Sequence, residues 1–569
     1  MKILGIAPDV WISSAALIED GRVVAGAAEE RFNRRKMSSA FPEQAIDYCL
    51  KQANCTLGSV DRIAVAWNPG VHITSANRRF VDNMRWRGEY LSSTPAAILS
   101  QKGNPEVTGI EQIIHLSEGD TQVVYVNHHM AHAANAFLMS PFSDAAILTA
   151  DGRGEEETCT FCVGHNNQID KLQVINLPHS IGLLYSAITE FVGFKPHSDE
   201  WKVMALASYG EGQGNKYYPL VRSLINLLPN GSFELDLSYF AYYMFDNKPN
   251  MYSSKLIELL GPPRGRDEPI ERRHHNIAQA MQLVFEETFT HMLNHLHQET
   301  GQTNLTLSGG CVMNSVYNGK VLQATPFENL FITSCPDDSG VSVGAALYVY
   351  NCMLGQTPRY IQEHNFWGPE YSAESIEESL RGFKIPFEYY EDISSVAANL
   401  LKDGTLVGWF QGRMEFGQRA LGSRSILADP RDPRMKDLVN AAVKYRESFR
   451  PFAPAILEEK AQDWFDMPDG DKVPYMEKVY PVKADKRDLI PAVVHVDGSG
   501  RLQTVSKTID PLFYDLIQSF GQLTGVPVVL NTSFNLNGEP IVATPADAIR
   551  TFYCCGMDAL VLGHYLIKK

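Results

Sequence analysis

The sequence predicts an α/β chain of two domains, the first of them built by duplication. Residues 1–30 hold a strand–turn–strand unit with Asp20-Gly21 at the turn, and a similar unit recurs at 145–177 around Gly-rich turns. Helical pattern follows each copy. The periodicity then lapses at 355–372, a stretch holding two prolines and no sustained pattern, and a new α/β unit begins.

Each element follows from local pattern. KILGIA and SAALIED alternate or run apolar, and Asp-Gly between such runs is a strong hairpin signal. In the second copy AAILTAD leads into a Gly-Arg-Gly turn, TCTFCVG, a polar turn at His165-Asn166-Asn167, and IDKLQVINL. The two copies share little sequence identity, so the duplication rests on pattern. Beyond the connector a helix is expected at 373–383, then SSVAANLLKDG with Gly404 as its stop, then the buried strand TLVGWF. The stretch DALVLGHYLI is expected to form one closing strand. The domains are accordingly 1–354, a linker at 355–372, and 373–569.

A length of 569 residues exceeds one folding unit, and 44% hydrophobic with 20% charged residues is ordinary globular composition. No run of 18 apolar residues occurs, and the start MKILGIAPDV lacks the pattern of a signal peptide, so no membrane span or leader is expected. Nine cysteines without framework spacing suit reduced thiols and a cytoplasmic setting. A net charge of −16 weighs against a general nucleic-acid binder.

VVYVNHHMAHAANAFL passes from a strand into an Ala-rich helix with Asn127 as N-cap. His128 and His132 are i, i+4 and share a face, whereas His129 points about 100° away. Asp151 ends the strand AAILTAD, and Asp338 precedes a small-residue helix. Two imidazoles with carboxylates suit Fe, Mn or Zn better than Mg. The local spacing does not by itself specify a metal: the same histidines would serve as packing groups, and the aspartates as turn formers.

Two glycine turns, Gly152-Arg153-Gly154 and Ser308-Gly309-Gly310, each follow an apolar strand. Such turns bring backbone N–H groups to phosphate oxygens, or are merely tight turns. Set in two halves of one cleft, they would grip a nucleotide from both sides. Glu200 and Lys202 stand either in a cleft or at a capped helix start.

From Arg413 to Arg450 there are nine Lys/Arg against five Asp/Glu, a local excess of +4 in an acidic chain. Arg419 and Arg424 lie among glycines, and Lys444, Arg446 and Arg450 follow in VKYRESFRPFAP. Arginine forks of this kind suit a phosphate or carbamoyl phosphate; a solvated face and internal ion pairs are the alternatives. Further on stand His495, Arg501, Asn531 and Ser533, each uninformative alone.

Together the motifs EERFNRRK, NHHMAHAANAF, ADGRGE, LSGGCVMN, DDSGVSVGAAL, WGPEYS, GRMEFGQRALGSRSILADPR, FRPFAP, HVDGSGRLQTV, LNTSFNLNGEPIV and TPADAI resemble, in that order, the NodU/CmcH carbamoyltransferase family. That family includes antibiotic-tailoring O-carbamoyltransferases. The resemblance covers nearly the whole chain, and the GRMEFGxRALGxRSI block is highly specific. It implies a two-lobed, actin/sugar-kinase-like (TsaD-like) N-terminal domain and an α/β YrdC-like C-terminal domain. It implies that the latter forms carbamoyl-adenylate from carbamoyl phosphate and ATP, with Mg2+ accompanying the nucleotide. The former would pass the carbamoyl group to a hydroxyl of a small-molecule acceptor, such as an antibiotic, toxin, sugar or nodulation factor.

By motif position the metal ligands would be His128, His132, Asp151 and Asp338, holding Fe(II) or another divalent transition metal. The nucleotide set would be Gly152, Gly154, Ser308, Gly309, Gly310 and Asn314. The adenylate-forming set would be Arg419, Arg424, Lys444, Arg446, Arg450, His495, Arg501, Asn531 and Ser533. Lys36, His128, Arg419 and Lys444 would act in catalysis, and a dimer is one expected assembly. Three positions depart from the family pattern. Trp11-Ile12 stands for the usual His-Asp, Met37 for a frequent His, and Gln418 for the usual Pro. A histidine in the first hairpin is a natural base for an acceptor hydroxyl; without it, Asp9 is the nearest substitute. Rival readings are a tRNA-carbamoylating relative, which the acidity and the joining of both domains oppose, and a nucleotide-binding regulatory module without transfer chemistry.

Overall fold

Two sheets in the N-terminal half repeat one strand order. The computed structural model describes residues 1–8, 11–68, 109–116, 119–212, 214–243 and 250–569; Asp9 lies outside them. The first sheet comprises β1 (Lys2–Ala7), β2 (Ser14–Glu19), β3 (Arg22–Ala28), β4 (Arg62–Val65), β5 (Gly109–Leu116) and β6 (Gly119–Val126), ordered β3-β2-β1-β4-β6-β5. The second comprises β7 (Asp144–Ala150), β8 (Glu157–His165), β9 (Gln168–Asn176), β12 (Asn304–Ser308) and β13 (Asn329–Ile332), ordered β13-β12-β7-β8-β9. A separate hairpin pairs β10 (Ile225–Leu227) with β11 (Phe233–Leu235).

In each sheet an antiparallel meander lies on one side of the leading strand and two parallel crossover strands lie on the other; the first sheet adds β5, antiparallel to β6, at its edge. The duplication expected from the turn pattern is thus present in the topology, and the fold is α/β. The Asp20-Gly21 hairpin forms with both residues left-handed, φ 49° and 83°, the backbone that matches strand twist. Asn166 at φ 53° turns the second hairpin.

The helices trailing the two sheets are exchanged. Helix α1 (His128–Phe137) leaves β6 of the first sheet and packs on β7, β8 and β12 of the second. Helix α3 (Val341–Leu347), which follows β13 of the second sheet, packs on β1, β2 and β4 of the first and on α1. Small residues permit this approach. A Cβ on Gly344 would lie 1.9 Å from the Ala131 carbonyl oxygen, and one on Gly5 would lie 1.8 Å from that of Ser342. The long helix α2 (Arg272–Thr300), which the sequence pattern did not single out, stops at Gly301 with φ 63°.

The chain divides into two compact units. One holds residues 1–29, 39–314 and 320–362; the other holds 363–569 together with the short segments 30–38 and 315–319. These two segments belong to the second unit by contact, which a boundary drawn along the sequence does not reveal. Arg31 donates to the Gly417 carbonyl (2.7 Å), and Arg34 donates to those of Ile541 (2.7 Å) and Pro540 (2.9 Å).

The second unit is built on a mixed eight-stranded sheet. Its strands are β14 (Glu388–Tyr389), β15 (Val407–Phe410), β16 (Arg424–Ala428), β17 (Ala453–Leu457), β20 (Gln503–Val505), β21 (Val528–Ser533), β22 (Ala559–Leu562) and β23 (Tyr565–Lys568), in the order β14-β23-β22-β15-β16-β21-β17-β20. A small ribbon pairs β18 (Val479–Pro481) with β19 (Ser499–Arg501). Helices α4 (Ile393–Lys402) and α5 (Pro511–Thr524) pack together on one face, where Trp409 is buried with Phe513 and Leu401. Phe410, the next residue, enters the opposite core with Ile426 and Ile456, as strand alternation requires. DALVLGHYLI is not the single strand expected: Gly563 at φ 57° breaks it into the β22–β23 hairpin. Among the described residues no helix is long and apolar enough to cross a membrane.

Candidate functional site

In the first unit, four side chains from three chain ends meet. His128 and His132 occupy the first turns of α1, whose N-cap Asn127 accepts from the Met130 N–H. Asp151 follows β7, and Asp338 opens the turn before α3. His128 Nε2 and His132 Nε2 lie 3.2 Å apart. Asp151 Oδ2 is 3.4 and 3.3 Å from them, and Asp338 Oδ1 is 3.5 Å from each. One donor atom from each residue falls within 4.8 Å of all the others, and all four residues are buried.

The surroundings fix the tautomers. His128 Nδ1 faces the Ala66 carbonyl (3.3 Å), which can only accept. Ser308 Oγ gives its proton to the Pro336 carbonyl (3.1 Å) and so accepts from His132 Nδ1 (3.1 Å). Both Nδ1 atoms therefore carry hydrogen, and both Nε2 lone pairs converge on the carboxylate oxygens. Four such atoms require a cation or protons between them. The titration behaviour agrees. Burial opposes charge on Asp151 and both histidines, yet hydrogen bonding with the imidazoles holds Asp151 well below the usual carboxylate range, and bonding with Asp151 and Asp338 raises both histidines. The donor set fits a divalent transition metal. His129 turns away, as expected, to Thr149 Oγ1 (2.6 Å), and burial keeps it neutral.

Glu155 is a member that the sequence reasoning missed, although it stands in the ADGRGE motif. Its carboxyl accepts the His128 N–H on both oxygens (3.0 and 3.1 Å), the Asn68 N–H (2.7 Å) and Asn127 Nδ2 (3.1 Å). It anchors the helix end that presents His128, and burial pushes its pKa up to about 7.

The glycine turns differ from expectation. They lie on adjacent strands β7 and β12 of one sheet, not on opposite lobes. Their N–H groups also have internal acceptors. Gly152 and Gly310 donate to Asp151 Oδ1 (2.7 and 3.2 Å), Gly309 to the Pro336 carbonyl (2.7 Å), and Gly154 to that of Glu157 (2.7 Å). Ser308 orients His132, and Asn314 pairs with Gln282 through both amide groups (2.8 and 3.1 Å). Gly152, Gly310 and Ser308 thus hold members of the carboxylate–histidine cluster, and the N–H groups of these turns are engaged within the fold. Gly309 is required where it stands, since at φ 103° a Cβ would lie 2.1 Å from the Ala150 carbonyl oxygen. Glu200 and Lys202 serve the start of the Glu200–Ala207 helix: Glu200 accepts from Ser186 Oγ (2.5 Å), and Lys202 pairs with Asp199 (3.2 Å).

The second unit gathers cations. Lys444 is buried at 4% exposure, and its Nζ donates to the carbonyls of Ser533 (2.5 Å) and Asn535 (3.0 Å) and to Asn535 Oδ1 (2.7 Å). Burial, followed by the charges of Arg446, Arg450 and Lys36, drives its pKa well down. Burial and then Arg450 lower Arg446 to about 9; it donates to Asn440 Oδ1 (2.9 Å) and lies over the Phe452 ring. Arg501 is depressed by burial and then by Arg419, Arg446 and Arg450. Burial brings His495 to about 4, with Arg501 and Lys436 opposing its charge; Ser499 Oγ lies 3.2 Å from its Nδ1. Glu447 pairs with Arg450 at 3.3 Å. Buried and half-buried cations crowded together in this way favour a nearby anion.

Two residues of the expected set stand apart from it. Arg424 is completely buried, and its guanidinium donates to the carbonyls of Gln411 (2.5 Å), Ser423 (3.2 Å), Pro369 (3.0 Å) and Gly412 (3.1 Å) while lying 3.6 Å over the Phe410 ring. It ties backbone together. Asn531 bridges Gln503 Oε1 (2.8 Å) and the Ala420 carbonyl (3.2 Å) within the sheet. Ser533 remains beside Lys444, donating to Asn535 Oδ1 (2.7 Å). Glu415, counted from sequence only as a charge, accepts the N–H groups of Leu421, Ser423 and Arg424 (2.8, 2.7 and 3.1 Å) and so folds the loop bearing Arg419.

Comparison with known proteins matches residues 2–347 to the carbamoyltransferase N-terminus and 398–569 to the carbamoyltransferase C-terminus. An uncharacterised Synechocystis protein is 38% identical over 100% of this chain and 96% of its own. Nodulation protein NolNO of Sinorhizobium fredii is 38% identical over 98% of this chain and 78% of its own. Nodulation protein U of the same organism is 36% identical over 46% of each chain. Among solved structures, the activator of the 2-hydroxyisocaproyl-CoA dehydratase from Clostridium difficile with bound ADPNP overlaps 64% of this chain and all of its own. Its identity is 13% and its TM-score 0.32, too slight an overlap to carry any inference. With both halves matched in order and full-length relatives above 30% identity, the chain belongs to the carbamoyltransferase family.

Proposed function

We propose that this carbamoyltransferase forms carbamoyl-adenylate from carbamoyl phosphate and ATP at the cation cluster of its second unit. The carbamoyl group then passes, at the histidine–aspartate cluster of its first unit, to a hydroxyl of a small-molecule natural product. The observation carrying this reading is the contrast between the two sites. One converges lone pairs and carboxylates on a point suited to a cation, whereas the other crowds Lys444, Arg446, Arg450 and Arg501 near enough to depress one another's pKa values.

The carbamoyl carbon is a poor electrophile until joined to a good leaving group, and adenylation supplies one. At the second unit Arg446, Arg450 and Arg501 bind the phosphate oxygens of carbamoyl phosphate and ATP, the latter accompanied by Mg2+. Lys444, held by Ser533 and Asn535, presents its Nζ among them, and Arg419, on the loop organised by Glu415, completes the set. At the first unit His128, His132, Asp151 and Asp338 would hold Fe(II) or another divalent transition metal. When bound, it supplies positive charge against developing oxyanions. The glycine turns and Ser308 orient those ligands, and Glu155 secures the helix that carries two of them. The setting is cytoplasmic, and assembly as a dimer is part of the proposal.

The test is pyrophosphate release from ATP and carbamoyl phosphate with no acceptor added. Release by the intact chain, lost on Arg446→Ala but kept on His132→Ala, is expected. Equal loss in both variants refutes the division of labour.

A further inference from the structure

The first hairpin of this chain has Trp11 where the family resemblance leads one to expect histidine, but an imidazole stands beside that position from elsewhere in the same unit. The His197 ring stacks on the Trp11 indole, with centroids 4.7 Å apart and planes 12° apart. Trp11 donates its backbone N–H to Asp338 Oδ2 (3.3 Å), and its side chain is 44% exposed. Arg153, two residues beyond Asp151, is near enough for its charge to act on the His197 ring. Stacked on the residue whose N–H holds Asp338, His197 stands at the rim of the cluster.

The turn is built to hold it. His197 has φ +59°, a left-handed conformation that costs a non-glycine residue energy and that clusters at functional sites. Its N–H donates to Glu200 Oε1 (2.6 Å), and Asp199 accepts the Lys195 N–H (3.1 Å). Its ring nitrogens take no hydrogen bond among the described residues. Burial and then the Arg153 charge bring its pKa to about 4, so the ring is uncharged at neutral pH and has an open lone pair.

Resting on the transfer reaction proposed above, we infer that His197, stacked on Trp11 at the rim of the cluster, takes the proton from the acceptor hydroxyl. In that step the acceptor O–H bond breaks and its proton passes to a His197 ring nitrogen. The acceptor oxygen bonds to the carbamoyl carbon, and the bond from that carbon to the AMP phosphate oxygen breaks. AMP leaves with the electron pair, and His197 returns the proton to solvent.

The test uses the full chain with ATP, carbamoyl phosphate and two probe nucleophiles. Glycerol, with water as a second hydroxyl, needs a base; hydroxylamine attacks without one. Pyrophosphate release reports adenylate formation, and AMP release reports attack on it. His197→Asn suits the left-handed backbone and removes the titrating ring. It should lower AMP release with glycerol at least ~100-fold while leaving hydroxylamine-driven release within about threefold, the range expected for loss of a general base. Metal content and pyrophosphate release should match the unaltered protein. In His197→Ala, added imidazole should restore part of the glycerol rate. Retention of both rates in His197→Asn, or their equal loss, overturns the role. Failure of the unaltered protein to release pyrophosphate overturns instead the adenylate-forming function, and this role with it.

Discussion

Replacing Arg424 should damage stability far more than chemistry, although the residue lies in the basic segment of the unit proposed to form the adenylate. Its guanidinium is fully buried and bonded to four backbone carbonyls, those of Gln411, Ser423, Pro369 and Gly412. Arg424→Ala leaves these acceptors without the charge and opens a cavity against Phe410. Each hydrogen bond to a charged donor contributes ~1.5–3 kcal/mol, but the contributions do not add in full. Gly412 is exposed and can be rehydrated. Counting only two of the carbonyls as stranded, and some of the lost packing, gives a loss of about 4–5 kcal/mol. For a unit of this size that lowers the melting temperature by roughly 8–20 °C. Lysine should recover little, because one ammonium cannot reach carbonyls on both sides of a planar fork. The assay is thermal denaturation followed by near-ultraviolet circular dichroism, with pyrophosphate release measured well below the transition and normalised to folded protein. A melting temperature within ~2 °C of the parent, accompanied by a ~100-fold loss of pyrophosphate release, would refute the reasoning and return Arg424 to the anion site.

Three further outcomes are expected. His132→Ala should abolish metal binding while pyrophosphate release persists; full occupancy by elemental analysis would contradict the ligand assignment. Arg446→Ala should cut pyrophosphate release by roughly 30- to 1000-fold, the loss of ~2–4 kcal/mol of charge-assisted bonding, with a smaller change in melting temperature; the reverse ranking would make it scaffold. Burial pushes Glu477 up to about 7 from 4.5. Its carboxyl therefore ionises first in the unfolded chain, so stability falls as pH rises from 4.5 to 7, by about 3 kcal/mol in all. Glu477→Gln should remove this fall and gain on the parent above pH 7; parallel stability–pH curves would exclude it.

The sequence displayed the fold where local pattern decides it. Asp20-Gly21 must turn a hairpin, and the strand–turn–strand unit repeated at 145–177 did correspond to a second sheet of the same order. The clustering of His128, His132, Asp151 and Asp338 was legible because the two histidines share one helix face and the aspartates sit at strand and helix ends. What failed depended on tertiary partners. Arg424 and Arg446 look alike in a basic, Gly-rich stretch; only packing distinguishes a guanidinium bonded to four carbonyls from one facing other cations. The glycine turns looked like phosphate cradles because sequence shows the freedom of glycine but not where its N–H points. Segment 30–38 lies with the second unit through contacts hundreds of residues away, which no periodicity encodes.

The place of Trp11 follows from the same distinction between backbone and side chain. Asp338 Oδ2 is held by the Trp11 backbone N–H, a bond that any residue except proline can make there. The orientation of this carboxylate is therefore independent of the side chain at position 11, and that side chain can change without disturbing the cluster. In this chain the change places an exposed indole against His197, whose strained backbone is fixed by Glu200 rather than by the cluster itself. The ligand geometry and the surface met by an acceptor are thus set by different atoms of the same residue. Trp11→Ala should accordingly leave metal content unchanged while releasing the His197 ring from its stack. If instead the metal is lost, the backbone bond to Asp338 does not survive without the indole, and the two roles are not separable.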